Sequence, residues 1–175
     1  MPFSGSVKTY NVDYQTPDSA ATATAYLTGV KGNYYTTGVN GNVELRDCEA
    51  VEVSIGNVEI YEMLKTTWKK GNELKSTLKR AKEAGKGTGI VTTTRINHAS
   101  PTGAYANSAY RFWYDDTELA EYDMPEEKKA KCVDLAKQFV NNQPLIDVAM
   151  GGGYKDGFIQ VLTPTEKRKT LTRRS

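Results

Sequence analysis

Among its 175 residues the sequence has a single histidine, His98. A zinc site built from several imidazoles therefore cannot be assembled within it, and any transition-metal chemistry must draw on carboxylates, hydroxyls or ligands from elsewhere. For the same reason no Ser-His-Asp or Cys-His arrangement can be argued. Cysteine is nearly as scarce. Cys48 and Cys132 are too few for a disulfide scaffold, and composition alone favours two unpaired buried thiols. No apolar run approaches the ~20 residues that a membrane span needs. Between Met1 and Val7 no charged segment leads into an apolar one, so no signal peptide is read there. That leaves either a cytosolic protein or a chain whose beginning lies further upstream. An excess of one charge is also lacking: 23 basic residues stand against 21 acidic ones. A nucleic-acid binder shows a clearer basic excess, so no nucleic-acid partner is expected.

What is present reads as alternating helices and strands, the pattern of an α/β protein large enough for one core. Residues 18–28 form a small-residue helix with Ala20, Ala21, Ala23 and Ala25. Asp18 or Ser19 opens it and Gly29 stops it. Four alanines so close together predict tight packing against another element. A Gly- and Tyr-rich loop spans 32–42. Residues 49–66 read as a hairpin turning at Gly56-Asn57. Residues 71–84 predict an amphipathic helix, with Leu74, Leu78 and Ala81 inward and Lys75, Lys79 and Lys82 towards solvent. A strand over 88–94 follows, then a polar and aromatic loop over 95–121. A second amphipathic helix runs over 125–140, with Cys132, Leu135, Ala136 and Phe139 inward. A buried strand over 145–150 ends in Gly151-Gly152-Gly153. Strand, long connection and strand predict a parallel pair. The polar, basic end from Glu166 to Ser175 reads as a solvated tail.

Few residues here carry chemistry by type and place alone. A helix N-terminus concentrates backbone N–H groups and positive dipole, so Ser19 could accept a phosphoryl group there. Serines also cap helices routinely, and spacing alone favours that plainer role. Arg111, within Tyr110-Arg111-Phe112-Trp113-Tyr114, has a guanidinium able to grip two phosphate oxygens. The plainer reading is stacking on its aromatic neighbours. His98 reads either as a metal ligand or as a satisfied polar residue. Gly85-Lys86-Gly87-Thr88-Gly89 lacks the spacing of a P-loop and follows a helix, so it is set aside.

Longer runs are more specific. Residues 16–33, beginning Thr-Pro-Asp-Ser-Ala-Ala-Thr-Ala-Thr-Ala, resemble the nucleophile motif of alkaline phosphatases, in wording nearest the animal branch. Residues 89–106, with Arg-Ile-Asn-His-Ala-Ser-Pro at 95–101, look like that family's magnesium-site loop. Residues 111–116 resemble its substrate-arginine segment, and residues 146–153 resemble a later strand and glycine turn. The four stand in the family's order.

The resemblance implies part of a three-layer α/β/α sandwich with a mostly parallel sheet, over 1–154. It implies that Ser19 is the nucleophile, forming a phosphoserine and touching zinc, and that Asp18 orients Arg111, which clamps the phosphate. His98 and Ser100 then belong to the magnesium site. Cys48 and Cys132 match a disulfide of animal members, against the reading from composition. The implied cofactors are Zn²⁺ and Mg²⁺, the substrate a small phosphomonoester and the assembly a homodimer. The implied location is extracellular or anchored at the plasma membrane, with no anchor region seen in the sequence. Residues 49–66 and 155–175 depart from the family, the former as a surface insertion or as translated intron. The family's first strand and later zinc ligands are not matched, so the expected activity of this chain alone is nil or nearly so.

Overall fold

The computed structural model describes residues 2–51 and 72–153. Most of the expected hairpin over 49–66, and the polar tail, lie outside the described residues.

The small-residue helix forms as α1, Ser19–Thr28. Ala20, Ala21, Ala23 and Ala25 are all buried. They let α1 lie close against a short helix, α3, Ala99–Thr102. At Gly103, which ends α3, an added Cβ would fall 2.8 Å from the Cβ of Ala23. No larger residue fits that approach without displacing α1. Gly29 closes α1 in the left-handed region at φ 79°, its N–H donating to the Ala25 carbonyl at 2.9 Å.

The predicted helix over 71–84 is shorter. It begins at Thr77 and forms α2, Thr77–Glu83, because Ser76 caps it: Ser76 Oγ accepts from the Lys79 N–H at 3.2 Å. The residues before it are held in a different pattern. The Asn40 N–H donates to the Asn72 carbonyl at 2.9 Å, and the Leu74 N–H to the Gly38 carbonyl at 2.8 Å. Of the three lysines expected in solvent, Lys75 pairs with Glu83 and Lys82 with Asp147. Lys79 instead turns its ammonium inward, donating to Asn107 Oδ1 at 3.0 Å.

Strand β1, Gly89–Arg95, pairs in parallel with β2, Val148–Gly152. Ile90 lies opposite Ala149, both buried; Val91 lies opposite Met150, both exposed. This parallel pair, with helices around it, is the α/β arrangement expected from the sequence. The loop expected over 95–121 holds α3 and a second helix, α4, Asp116–Glu121.

The long helix expected over 125–140 is broken in two: α5, Glu126–Lys129, and α6, Leu135–Asn141. Asp134 caps α6, accepting from the Lys137 N–H at 2.8 Å. The first N–H groups of α6 bond outside the helix, Leu135 to the Trp113 carbonyl and Ala136 to the Tyr114 carbonyl. The break also brings Cys132 to Cys48, at the start of a 3-10 turn over Cys48–Ala50. The two are disulfide-bonded with Cα atoms 5.2 Å apart, which corrects the reading as free thiols.

Two apolar clusters result among the described residues. One gathers Ile90, Ile96, Tyr105, Leu135, Phe139, Ile146 and Ala149 between β1, β2 and α6. The other surrounds the disulfide with Val39, Val43, Val51 and Trp113.

Candidate active site

Asp18 is the cap of α1, which settles the choice between Asp18 and Ser19. Its carboxylate accepts the Ala20 N–H at 2.9 Å and the Ala21 N–H at 3.3 Å. The same carboxylate takes two bonds from afar. The Tyr35 N–H donates to Oδ1 at 3.1 Å, and Arg111 Nη1 donates to Oδ2 at 2.7 Å. The ion pair is almost closed to water, its side chains 9% exposed at Arg111 and 4% at Asp18. Four donors and a guanidinium charge offset the cost of burying the carboxylate.

Ser19 is the first residue inside α1 and is exposed. It carries no cap bond, since Asp18 does that work. Its hydroxyl therefore stands at the positive end of a ten-residue helix, next to the residue that holds Arg111.

Arg111 is fixed along its length. Its backbone N–H donates to the Tyr35 carbonyl at 2.9 Å. The guanidinium carbon lies 5.1 Å from the Phe112 ring centre and 6.0 Å from that of Tyr35. The aromatic contacts read from the sequence are present, and a carboxylate anchors the guanidinium as well. Its Nε is buried with no hydrogen-bond partner among the described residues. That is a costly state for a charged donor, and it leaves an N–H unused by the protein.

Tyr35 joins both halves of this pair and was not singled out from the sequence. Its N–H binds Asp18 and its carbonyl binds Arg111. It does so in the left-handed region, at φ 65°, uncommon for a residue with a side chain. Only the Gly- and Tyr-rich composition of its loop hinted at unusual backbone there.

His98 precedes α3 without capping it by its side chain. Its ring stacks on Tyr114, centres 6.1 Å apart. Burial pushes its pKa down, and the charges of Arg111 and Arg95 push it further. The imidazole is accordingly neutral at neutral pH. Its Nδ1 is buried with no hydrogen-bond partner among the described residues. Ser100 follows within α3, half-buried. A lone imidazole nitrogen and a nearby hydroxyl are a poor fit to a zinc or magnesium site, which needs more donors. Among the described residues no three His, Cys, Asp or Glu side chains converge to hold a metal ion. The arrangement can bind an anion at the head of α1 beside a fixed arginine.

Comparison with known proteins agrees with the local motifs. The sequence profile of the family described as alkaline phosphatase matches residues 1–175. The rat tissue-nonspecific isozyme of alkaline phosphatase (Rattus norvegicus) is 47% identical over 155 residues, covering 89% of this chain and 25% of the relative. Its counterpart in Gallus gallus is 43% identical over 177 residues, covering 99% and 30%. Among solved structures, alkaline phosphatase from the Antarctic bacterium TAB5 superposes with a TM-score of 0.53 at 21% identity, covering 86% of this chain and 30% of that one. A variant of that bacterial enzyme with Mg bound in its M3 site gives a TM-score of 0.55 at 20% identity. These two show likeness of fold. This chain thus spans 25% to 30% of the length of these curated relatives.

Proposed function

Because the chain belongs to the alkaline phosphatase family, we propose that it carries the phosphoryl-accepting part of a phosphomonoesterase, with Ser19 as nucleophile and Arg111 as phosphate clamp. The observation that carries this reading is the buried Asp18–Arg111 pair at the head of α1, immediately beside exposed Ser19. A phosphomonoester dianion docks with its non-bridging oxygens on the guanidinium and the helix N-terminus. Asp18 positions Arg111 through Nη1, and the unpartnered Nε–H is free to donate. Ser19 Oγ then attacks phosphorus. The Oγ–P bond forms as the bond to the alcohol oxygen breaks, and the alcohol departs with a proton. Water hydrolyses the phosphoserine, returning the serine hydroxyl and releasing phosphate.

Ionising the serine and expelling the alcohol call for more positive charge than Arg111 supplies. The described residues bring together no three metal donors. This chain by itself is accordingly inactive or nearly so, retaining weak phosphate binding. The second reading is a non-catalytic fragment or pseudoenzyme with at most weak phosphate or partner binding. The family's homodimer, and a location outside the cell or anchored at the plasma membrane, belong to the same proposal. The disulfide supports an oxidising compartment. No helix among the described residues is long and apolar enough to cross a membrane.

The test pairs two measurements on the full chain. Hydrolysis of an aryl phosphate at alkaline pH, with zinc and magnesium ions supplied, is compared with Ser19→Ala. No serine-dependent turnover is expected, and its appearance would overturn the inactivity. Binding of inorganic phosphate is measured by equilibrium dialysis against Arg111→Ala. Binding that disappears with Arg111 is expected. Binding that ignores Arg111, or none at all, would overturn the site.

A further inference from the structure

Asn97, between β1 and α3, is 0% exposed. Its Nδ2 donates to the Tyr114 carbonyl at 3.0 Å, while its Oδ1 has no hydrogen-bond partner among the described residues. The Tyr114 carbonyl already accepts the Ala136 N–H at 3.0 Å. Asn97 is therefore not needed to satisfy that oxygen, and it leaves its own carbonyl unpaired in the core. Such an atom is destabilising, so a half-used buried amide calls for a reason other than stability.

Its surroundings suggest one. The turn over 96–98 is tied on other sides as well, among them to α3, where the Thr102 N–H donates to the His98 carbonyl at 3.1 Å. The Ile96 N–H donates to the Gly152 carbonyl at 3.0 Å, and the Tyr105 hydroxyl donates to the Ile96 carbonyl at 3.1 Å. The His98 N–H donates to the Arg95 carbonyl at 3.0 Å. Those bonds join the turn to β2, to its own strand and to the segment after α3. The Asn97 side chain gives the turn its hydrogen bond to the segment that carries Arg111, three residues before Tyr114, beside the stacking of the His98 ring on Tyr114.

We propose that Asn97 is a positioning residue for phosphate, holding the His98-bearing turn in register with the Arg111 segment. The inference rests on the phosphate site proposed above. Arg111 is already fixed to Asp18 at one guanidinium nitrogen and to Tyr35 at its backbone. Asn97 fixes the chain on the other side of it, so the unpartnered Nε keeps its aim. Displacements of about 1 Å at such a group can weaken an oriented interaction by a large factor.

The experiment measures inorganic phosphate affinity by equilibrium dialysis on the full chain carrying Asn97→Asp or Asn97→Ala, with thermal melting of the same samples. Asn97→Asp keeps the size and loses the amide donor. Phosphate affinity is expected to fall about tenfold in both variants, at temperatures where each is folded. A lower melting temperature with unchanged phosphate affinity would show a structural role only and overturn the proposal. If neither variant folds, Asn97→Ser replaces them, its hydroxyl being too short to reach the Tyr114 carbonyl; unchanged affinity there is equally fatal. Wild-type phosphate binding that is absent, or insensitive to Arg111→Ala, sinks the site itself and this inference with it. Arg111-dependent binding that Asn97 variants leave intact sinks the positioning role alone.

Discussion

Arg111 and Asp18, 93 residues apart, meet at 2.7 Å with neither side chain more than 9% exposed. Removing one partner strands the other without water or counter-charge. Asp18→Ala also removes the cap of α1. It should cost about 3–5 kcal/mol in urea unfolding. Asp18→Asn keeps part of the cap and should cost less. A double variant, Asp18→Asn with Arg111→Met, should be less damaged than the sum of its single changes. Simple additivity would mean that the pair is not coupled.

Ser19 offers the contrast. It lies one residue from Asp18, is exposed and caps nothing. Ser19→Ala should change stability by no more than about 0.5 kcal/mol. A loss near that of Asp18→Ala in the same unfolding assay would return the capping role to the serine.

Lys79 predicts an unusual pH dependence. Burial, with Lys75 nearby, lowers its pKa to about 8, against the opposing pull of Glu73 and Glu83. The folded chain therefore gives up this proton before the unfolded chain does. Its charge is a burden below pH 8, and the burden lifts as pH rises from about 8 towards the ordinary lysine value of about 10.5. Discounted for the water that reaches a half-buried side chain, the effect is about 1–2 kcal/mol. Lys79→Met should raise the melting temperature at pH 7 and gain less at pH 10. An equal gain at both pH values would exclude titration as the cause.

The disulfide joins residues 84 positions apart and sits in the cluster around Trp113. Closing so long a loop in the unfolded chain favours the folded state by about 4–5 kcal/mol in the chain-entropy account, and by 2–5 kcal/mol in typical small domains. Thermal melts with and without a thiol reductant should differ by many degrees. Coincident melts would show that the second core holds without the bond.

Much of this could be read from local pattern. The alanines of α1 and the stop at Gly29 were legible because helix packing and the left-handed cap leave direct marks on residue choice. The parallel pairing of β1 with β2 followed from the order of the elements. Motif runs, not periodicity, pointed to Ser19, Arg111 and His98. Periodicity failed where tertiary bonds replaced helical ones. The helix expected over 125–140 breaks because Trp113 and Tyr114 offer carbonyls to Leu135 and Ala136, and because Cys132 must reach Cys48. The helix expected over 71–84 begins late because Asn72 and Leu74 bond to residues 38–40 instead.

The sequence by itself determined the family, the kind of fold and the order of its parts, since these follow from hydrophobic pattern, small residues and motif runs that are local in the chain. Only the tertiary structure decided that Asp18 and not Ser19 caps α1, that Tyr35 bridges Asp18 and Arg111, that Lys79 turns inward, and that Asn97 reaches across to Tyr114. The cap bonds of Asp18 are local, to Ala20 and Ala21, while the other three depend on a partner distant in sequence. A buried polar group takes whichever partner the packed chain brings within 3 Å or so, and no local pattern records that choice.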